Sequence, residues 1–389
     1  MVSSQVRPKT TSTAKVSRVF GIGCMPFEIP YSREDSEWPK LVSEALLAIP
    51  AVESVKVDAP NSSLHGRPAT SEVVGELPHD NYRVDFWPEP DFTTTRVDIS
   101  IPKRLHKELI RSHALPSEKF SMETHYGWHG PVTYVSLKSS GQVLPFQISS
   151  SVQLVAEFLN AELAKGESPV RMARVGPSPF HAQVLLYAGE AGKGNFTFEI
   201  TERQGYETIE VQFDPDEYGD LDDAQQALFA AIDVQLQLFY ELTRESNRRS
   251  LVADDISEAA AALTEHATAP GARAWFRRVF ATGASARRLG LQALQARLVA
   301  ADDLRRSEES VSECLAQSSA VPIFERHLNA ARKDTTDHII QGALDIVSLA
   351  ESSRGRDFEV AVVAASTLLG AAAGAIAGLL VGGGAPPTP

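Results

Sequence analysis

The sequence predicts an α+β fold, in which an N-terminal mixed α/β domain with an antiparallel meander is followed by an all-helical region and a single C-terminal hydrophobic, transmembrane helix. Three observations predict it. Strand-like runs alternate with helical patterns up to residue 215, only helical patterns occur from residue 220, and an uncharged apolar segment follows. The predicted parts are a disordered basic tail (1–16), the α+β domain (17–215), the helical domain (220–357), the transmembrane helix (358–382) and a short tail (383–389).

The composition is that of a globular protein. The chain has 389 residues, of which 43% are hydrophobic and 22% charged, and this length is sufficient for more than one domain. The net charge of −13 disfavours nucleic-acid binding, for which a basic surface is typical. Cys24 and Cys314 are too few for a disulfide framework or a thiolate zinc site and indicate reduced thiols. The basic tail has no apolar stretch, so a cleaved secretory signal is not expected.

The α+β domain begins with a strand, an amphipathic helix and a second strand. By periodicity the predicted strands are 17–23, 52–59, 82–87 and 93–101, and the predicted helices are 36–49, 102–113 and 151–165. The buried face of the last helix is expected to carry Val152, Val155, Leu159 and Leu163. Apolar runs at 181–188, 195–200 and 208–213, separated by polar or Gly-rich turns, predict a three-stranded antiparallel meander.

The periodicity is helical throughout from residue 220. The predicted helices are 221–249, 251–267, 272–281, 285–317 and 333–352. The first carries an apolar stripe formed by Leu228, Ile232, Leu236 and Phe239. Ala-rich helices of this length need a partner face, which is either another helix of the chain or another subunit.

The segment Val360–Val381 contains no charged residue. A helix of this length rises about 33 Å, which exceeds a hydrocarbon core of about 30 Å. Because Arg354 and Arg356 precede the segment, the charge bias predicts a tail-anchored, single-pass membrane protein with its body in the cytoplasm. The alternative is an Ala- and Gly-rich tail that belongs to the soluble body.

Small residues recur every four positions in this segment. Gly370, Gly374, Gly378 and Gly382 form the row, and Ser366 extends it upstream. Positions four apart share one face of a helix, and such small-residue rows let two membrane helices approach closely. The row therefore predicts a glycine-zipper helix that packs against other copies of itself.

The stretch between Glu265 and Asp302 contains no acidic residue and is rich in arginine. Its arginines stand beside two adjacent aromatic residues, and the stretch includes Arg273, Trp275, Phe276, Arg277, Arg278, Arg287 and Arg288. A basic amphipathic helix with Trp and Phe is typical of contact with anionic lipid, and such arginines also suit nucleic-acid phosphates. The alternative is a helix of a soluble bundle whose arginines pair with the acidic surface of the chain.

Two glycine-rich motifs do not indicate nucleotide binding. Gly21 and Gly23 follow a strand, but Pro26 stands where a dinucleotide fingerprint needs a third glycine and a helix N-terminus. The sequence GEAGKGN at 189–195 lacks P-loop spacing and lies between strands, which indicates a hairpin turn.

Clustered carboxylates at the start of the long helix are weak candidate metal ligands. Asp214, Asp216, Asp220 and Asp222 occupy positions of an EF-hand-like loop, but position 12 is Gln225 rather than the bidentate carboxylate. The alternative is a turn whose aspartates cap the helix.

Two histidines, His125 and His129, are four residues apart. No glutamate follows His125, and glycines make a helix there unfavourable, so a HExxH zinc site is not expected. Glu123 and His113 lie close in sequence and would complete a metal or acid–base set, but the pattern favours ordinary loop histidines.

The predicted function is a membrane-anchored cytoplasmic sensor, effector or binding module that self-associates through the glycine-zipper helix. The predicted partners are membrane lipid and further copies of the chain, without nucleic acid, and no cofactor or catalytic residue is predicted. Two alternatives remain, an enzyme in the α+β domain and a soluble helical scaffold.

Overall fold

The computed structural model describes residues 18–29, 38–58, 93–110, 115–127, 129–137, 147–172, 182–189, 196–203, 206–271, 275–276, 279, 282–317 and 323–382, with the backbone alone beyond residue 371. The strands are β1 (Arg18–Gly23), β2 (Phe27–Glu28), β3 (Val52–Asp58), β4 (Thr94–Ser100), β5 (Lys119–Gly127), β6 (Gly130–Leu137), β7 (Arg171–Met172), β8 (Ala182–Ala188), β9 (Phe196–Arg203) and β10 (Tyr206–Phe213). The helices are α1 (Trp38–Leu47), α2 (Lys103–Ile110), α3 (Gln147–Leu163), α4 (Pro215–Tyr218), α5 (Leu221–Thr268), α6 (Thr282–Gln317), α7 (Glu325–Ala331) and α8 (Asp337–Gly382).

The α+β prediction is confirmed: a mixed sheet with helices is followed by a large helical region. Within the described residues, eight strands form one sheet in the order β3-β4-β5-β6-β1-β8-β10-β9, and β2 pairs with β7 separately. Neighbouring strands are antiparallel except for β8 and β10, which are parallel. The predicted strand at 82–87, the tail at 1–16 and the tail at 383–389 lie outside the described residues.

The prediction of a meander from β8 to β10 is wrong. β10 lies between β8 and β9 and runs parallel to β8, so only the β9–β10 pair is antiparallel. The side chains explain this order. β10 buries Ile209, Val211 and Phe213, which suits an inner strand, whereas β9 is largely exposed and charged, which suits an edge.

The chain divides into two compact units. Unit 1 comprises residues 1–244 and 310–331, and unit 2 comprises residues 245–309 and 332–389. The secondary structure changes at residue 220, as the periodicity predicts, but the units divide the long helices. The first half of α5, the end of α6 and α7 therefore belong to unit 1.

Unit 1 has three layers. One face of the sheet packs against α1, α2 and α3, and the other packs against α5, the end of α6 and α7. The predicted buried residues of α3 and of the α5 stripe are confirmed as core. Alternation along β5 directs Phe120 and Met122 to the α3 face and Glu123 and His125 to the α5 face.

The two glycines of β1 allow α3 to pack closely against this strand. A Cβ on Gly21 would lie 2.7 Å from Cγ2 of Ile148 and 2.8 Å from Cγ2 of Val152, and a Cβ on Gly23 would lie 2.7 Å from Cγ1 of Val152. These glycines let α3 lie directly on β1, which explains the pattern that resembled a nucleotide motif.

In the described part of unit 2, three helices form the core. Its core joins residues of α5, α6 and α8, which are Ile256, Ala260, Leu263, Ala286, Leu289, Ala293, Ile340, Ala343 and Ala350. Small alanines on all three helices allow close helix–helix approach. The predicted break of the long helix at residue 250 is wrong, because α5 continues to Thr268.

The prediction of a transmembrane helix, and with it of a single-pass, tail-anchored protein with its body in the cytoplasm, is wrong. In the part of the chain that the structure describes, no helix is both long and apolar enough to cross a membrane. Beyond the charged residues Arg354, Arg356, Asp357 and Glu359, the described side chains cover only residues 360–371. Residues 372–381 lie outside the described side chains.

The substitution Gly21→Ala should lower the free energy of unfolding by about 1–3 kcal/mol, because the added methyl group overpacks the contact with α3. Urea denaturation followed by circular dichroism measures the change. Gly166→Ala is the matched control in the same unit, since its added Cβ would meet no atom nearer than 3.6 Å. Equal stability of the two variants would contradict the packing account.

Candidate functional site

The candidate site lies where β5 and β6 face α5. Glu123 and His125 project from β5, and Tyr134 projects from β6. The first half of α5 is pressed onto this face by its apolar stripe and contributes Phe229 and Asp233. The site is therefore built from chain segments about a hundred residues apart.

His125 is held between two carboxylates. Its Nδ1 lies 2.6 Å from Oδ2 of Asp233, and its Nε2 lies 2.7 Å from Oε1 of Glu123. The same Glu123 oxygen lies 3.0 Å from Nε of Arg96 and accepts a 3.3 Å hydrogen bond from Gln226. Two cationic groups and two carboxylates thus form one largely buried and electrically balanced network, which we call the His125 network.

Aromatic rings close the His125 network on one side. Tyr134 donates its hydroxyl hydrogen to the second oxygen of Asp233. Its ring stacks on Phe229 at 3.7 Å between centroids, and both rings meet the imidazole edge-on. Because these apolar walls exclude water, the charges of His125 and its partners interact strongly.

The environment keeps His125 protonated. Burial alone would lower its pKa, but the hydrogen bonds and charges of Asp233 and Glu123 raise the pKa to about 9. Burial would likewise raise the pKa of Glu123, yet His125 and Arg96 together hold that pKa below its ordinary value. Burial and the neighbouring Asp233 raise the pKa of Tyr134 well above its ordinary value, so its hydroxyl remains a donor.

A second histidine–carboxylate pair lies at the end of the same hairpin. Nδ1 of His129 lies 2.6 Å from Oε2 of Glu241 on α5, and Arg244 donates to the His129 carbonyl at 3.3 Å. Gly130 has a φ of +109° and a Cβ there would lie 2.8 Å from Nη2 of Arg244, so glycine is required at this turn.

A cleft of about 630 Å³ opens between these two pairs. His125, Asp233, His129, Gln237, Glu313 and Cys314 are among its lining residues. Its size falls in the range of about 300–1,000 Å³ that small-molecule sites occupy. A Cβ on Gly127 would lie 2.4 Å from Oε1 of Gln237, so the glycine lets that side chain lie against the end of β5.

The chemistry open to the cleft follows from these contacts. Both nitrogens of His125 are engaged, so this residue is a fixed cation and not a free base. Burial raises the pKa of the Cys314 thiol, which disfavours a thiolate nucleophile. The described residues contain no group of three or more His, Cys, Asp and Glu arranged to hold a metal ion.

The predicted metal candidates lie elsewhere, and two of them, Asp214 and Asp220, are helix caps. Asp214 accepts a 3.0 Å hydrogen bond from the amide of Asp216 at the start of α4. Asp220 accepts from the amides of Asp222 and Asp223 at 2.8 Å and 2.9 Å at the start of α5. Asp222 also pairs with Arg18 at 2.7 Å.

The other predicted site residues belong to unit 2. Arg287 and Arg288 lie on α6, and Phe276 is 58% exposed beside Trp275. Ser366 and Gly370 lie on exposed α8, where Ser366 donates to the carbonyl of Val362. Gly374, Gly378 and Gly382 continue that helix as backbone alone. Arg273, Arg277 and Arg278 lie outside the described residues, as does His113.

The interpretation of His125 and His129 as ordinary loop histidines is wrong for His125, which lies within β5. Its partner Asp233 was missed altogether, together with Tyr134 and Glu241. Two signals point to the pair: Glu123 and His125 share one face of a strand, and Asp233 interrupts the otherwise apolar side of α5 next to Ile232.

The contribution of His125 to stability should be present in full below pH 6.5 and lost as the pH rises through about 9, because folding raises its pKa. A rise from 6.5 to about 9 corresponds to about 3 kcal/mol. Urea denaturation from pH 6 to pH 10 should therefore show the stability advantage of the wild type over His125→Gln narrowing with rising pH.

Gly166→Ala is the control in the same unit, since it removes no titratable group and its added Cβ would meet no atom nearer than 3.6 Å. The difference in free energy of unfolding between this variant and the wild type should stay constant from pH 6 to pH 10. If the difference in free energy of unfolding between the wild type and His125→Gln also stayed constant with pH, this would contradict the protonation of His125 in the folded protein.

The chain was compared with models of protein families, with curated proteins and with solved structures. None of the three comparisons finds a match.

Proposed function

We propose that unit 1 is a binding module for a small cationic molecule, such as an amine or a guanidine, and that the chain self-associates through α8. The observation that carries the first part is the charge of the cleft. Glu313 contributes a carboxylate to a cavity of about 630 Å³ in which the other charged groups are already paired.

The ion pairs that line the cleft determine whether a bound ligand should be positively or negatively charged. The charge of His125 is balanced by Asp233 and Glu123, and His129 faces Glu241. Among the described residues, no cation lies within ion-pair distance of Glu313. The lining therefore offers an anionic group without an opposing one, which attracts a cation and repels an anion.

Neutral groups supply the remaining recognition. Thr94, Ser310 and Gln237 bring hydroxyl and amide groups to the cleft, and Val234 brings apolar surface. In small-molecule sites a few placed polar groups beside apolar surface fix the orientation of the ligand. The network behind it fixes β5 against α5, so the cleft is formed before a ligand arrives.

An enzyme in the same domain is the second candidate, and His129 favours it. Glu241 engages Nδ1, while no described residue bonds Nε2. A carboxylate-oriented histidine with a second free nitrogen is the arrangement of a general base.

Self-association is supported by the exposed apolar side chains of α8. Phe358, Val360, Val363, Leu368 and Leu369 are between 51% and 72% exposed. A helix with apolar side chains on all sides is stable in water only when another protein surface packs against it. A second copy of α8 is a suitable cover, because an uncharged helix needs no charge complement and the small-residue row permits close approach.

Calorimetry with agmatine, a small dication, tests the cleft. We expect agmatine to bind the wild type and citrate not to bind. Glu313→Gln should weaken agmatine binding at least about tenfold, since it removes one charge-assisted contact. Ala230→Trp, which fills the cleft, should abolish binding.

The exposed Glu217→Gln in the same unit is the matched control and should bind agmatine like the wild type. Unchanged binding by Glu313→Gln and Ala230→Trp, or preference for citrate, would refute the proposal. Mass spectrometry of the recovered agmatine separates the candidates: intact agmatine supports a binding module, and conversion that His129→Gln abolishes supports the enzyme.

Sedimentation velocity tests self-association. The wild type should sediment as more than a monomer, and Gly374→Leu with Gly378→Leu should shift it towards the monomer, because the bulk prevents close helix contact. Ala365→Leu adds a side chain of the same size off the row and should leave the sedimentation unchanged. A monomeric wild type would overturn this part.

A further inference from the structure

Unit 2 contains a groove lined by arginines. It measures about 540 Å³ and lies between the first turns of α6 and the middle of α8. We call it the arginine groove; its lining includes Gly283, Arg287, Arg288, Leu291, Gln292 and Arg354. This groove and the unit 1 cleft share no lining residue.

Arg354 is held in place by the backbone around it. Its Nε donates to the carbonyl of Val279 at 3.1 Å. A Cβ on Gly283 would lie 2.3 Å from Nη1 and 2.6 Å from Cζ of Arg354, so the guanidinium occupies the space that a side chain at position 283 would need. Glycine at the start of α6 thus permits a positioned guanidinium at the groove.

The arginines of the groove differ from the others on the same helix. Arg305 pairs with Asp302 at 3.0 Å and with Glu309 at 2.8 Å, and Arg297 pairs with Asp337 at 3.2 Å. By contrast, no carboxylate of the described residues lies within ion-pair distance of Arg287, Arg288 or Arg354. In a chain with a net charge of −13, three guanidinium groups that line one groove without a carboxylate are a local excess of positive charge.

We propose that the arginine groove binds a small molecule that carries phosphate groups. Guanidinium groups present a planar fork of N–H donors that matches phosphate oxygens, and they stay protonated at every physiological pH. The Gln292 amide adds a further donor, and Leu291, which is 62% exposed, offers apolar surface to the rest of the ligand. The phosphate belongs either to a soluble metabolite or to a lipid headgroup.

Calorimetry of the full chain with inorganic pyrophosphate tests the proposal. Pyrophosphate should bind with one site per chain, and Arg287→Gln, Arg288→Gln and Arg354→Gln should each weaken it about tenfold or more. Gly283→Ala should have the same effect because it displaces Arg354. Arg305→Gln, on the same helix but paired with carboxylates, is the matched control and should bind like the wild type.

Thermal melts of each variant show whether the fold is kept, and a variant that melts like the wild type but binds less supports the proposal. Flotation with vesicles containing phosphatidic acid identifies the source of the phosphate. Flotation that pyrophosphate competes away indicates a lipid headgroup, and pyrophosphate binding without flotation indicates a soluble ligand. Absence of pyrophosphate binding by the wild type, or equal loss in Arg305→Gln, overturns the proposal.

Discussion

The ion network around His125 is the constraint on which the architecture of unit 1 depends. A buried charge is costly unless it is paired, and removing one partner of such a group leaves the other unpaired in an apolar setting. Because Glu123 and His125 lie on β5 and Asp233 lies on α5, the network is satisfied only when the helix crosses the sheet in one register. The apolar stripe of α5 supplies the attraction, and the network selects the position.

That position creates the cleft. α5 covers the sheet at Phe229 and Tyr134, and the cleft opens where the helix passes the end of β5. Gly127 and Gly130 lack side chains at this end of the hairpin and let Gln237 and Arg244 approach the backbone. The proposed ligand site is thus a consequence of how the sheet and the helix are joined.

Local patterns predicted much of the fold. The helical spacing of Leu228, Ile232 and Leu236 identified a buried face that the structure confirms. The network was not predictable in this way, because Asp233 meets His125 across 108 residues and periodicity carries no information about such pairs. The parallel pairing of β10 with β8 was missed for the same reason, since strand order depends on which strands bury both faces.

An uncharged composition alone was not sufficient to identify a membrane-spanning helix at the C-terminal end of the chain. An uncharged run of suitable length predicted a membrane span, whereas α8 is continuous from Asp337 and its first half is part of the three-helix core of unit 2.

The two proposed sites differ in the charge of the ligand that they favour, since the cleft favours a cation and the arginine groove favours an anion. The two proposals thus assign a cation to unit 1 and an anion to unit 2.

Held between two carboxylates, His125 is positively charged at physiological pH. An NMR titration of the ¹³C- and ¹⁵N-labelled imidazole of His125, assigned by comparison with His125→Gln, measures this directly. The structure predicts a pKa of about 9 with both ring nitrogens protonated at pH 7. A pKa at or below its ordinary value of 6.5, with a neutral ring at pH 7, would contradict the account.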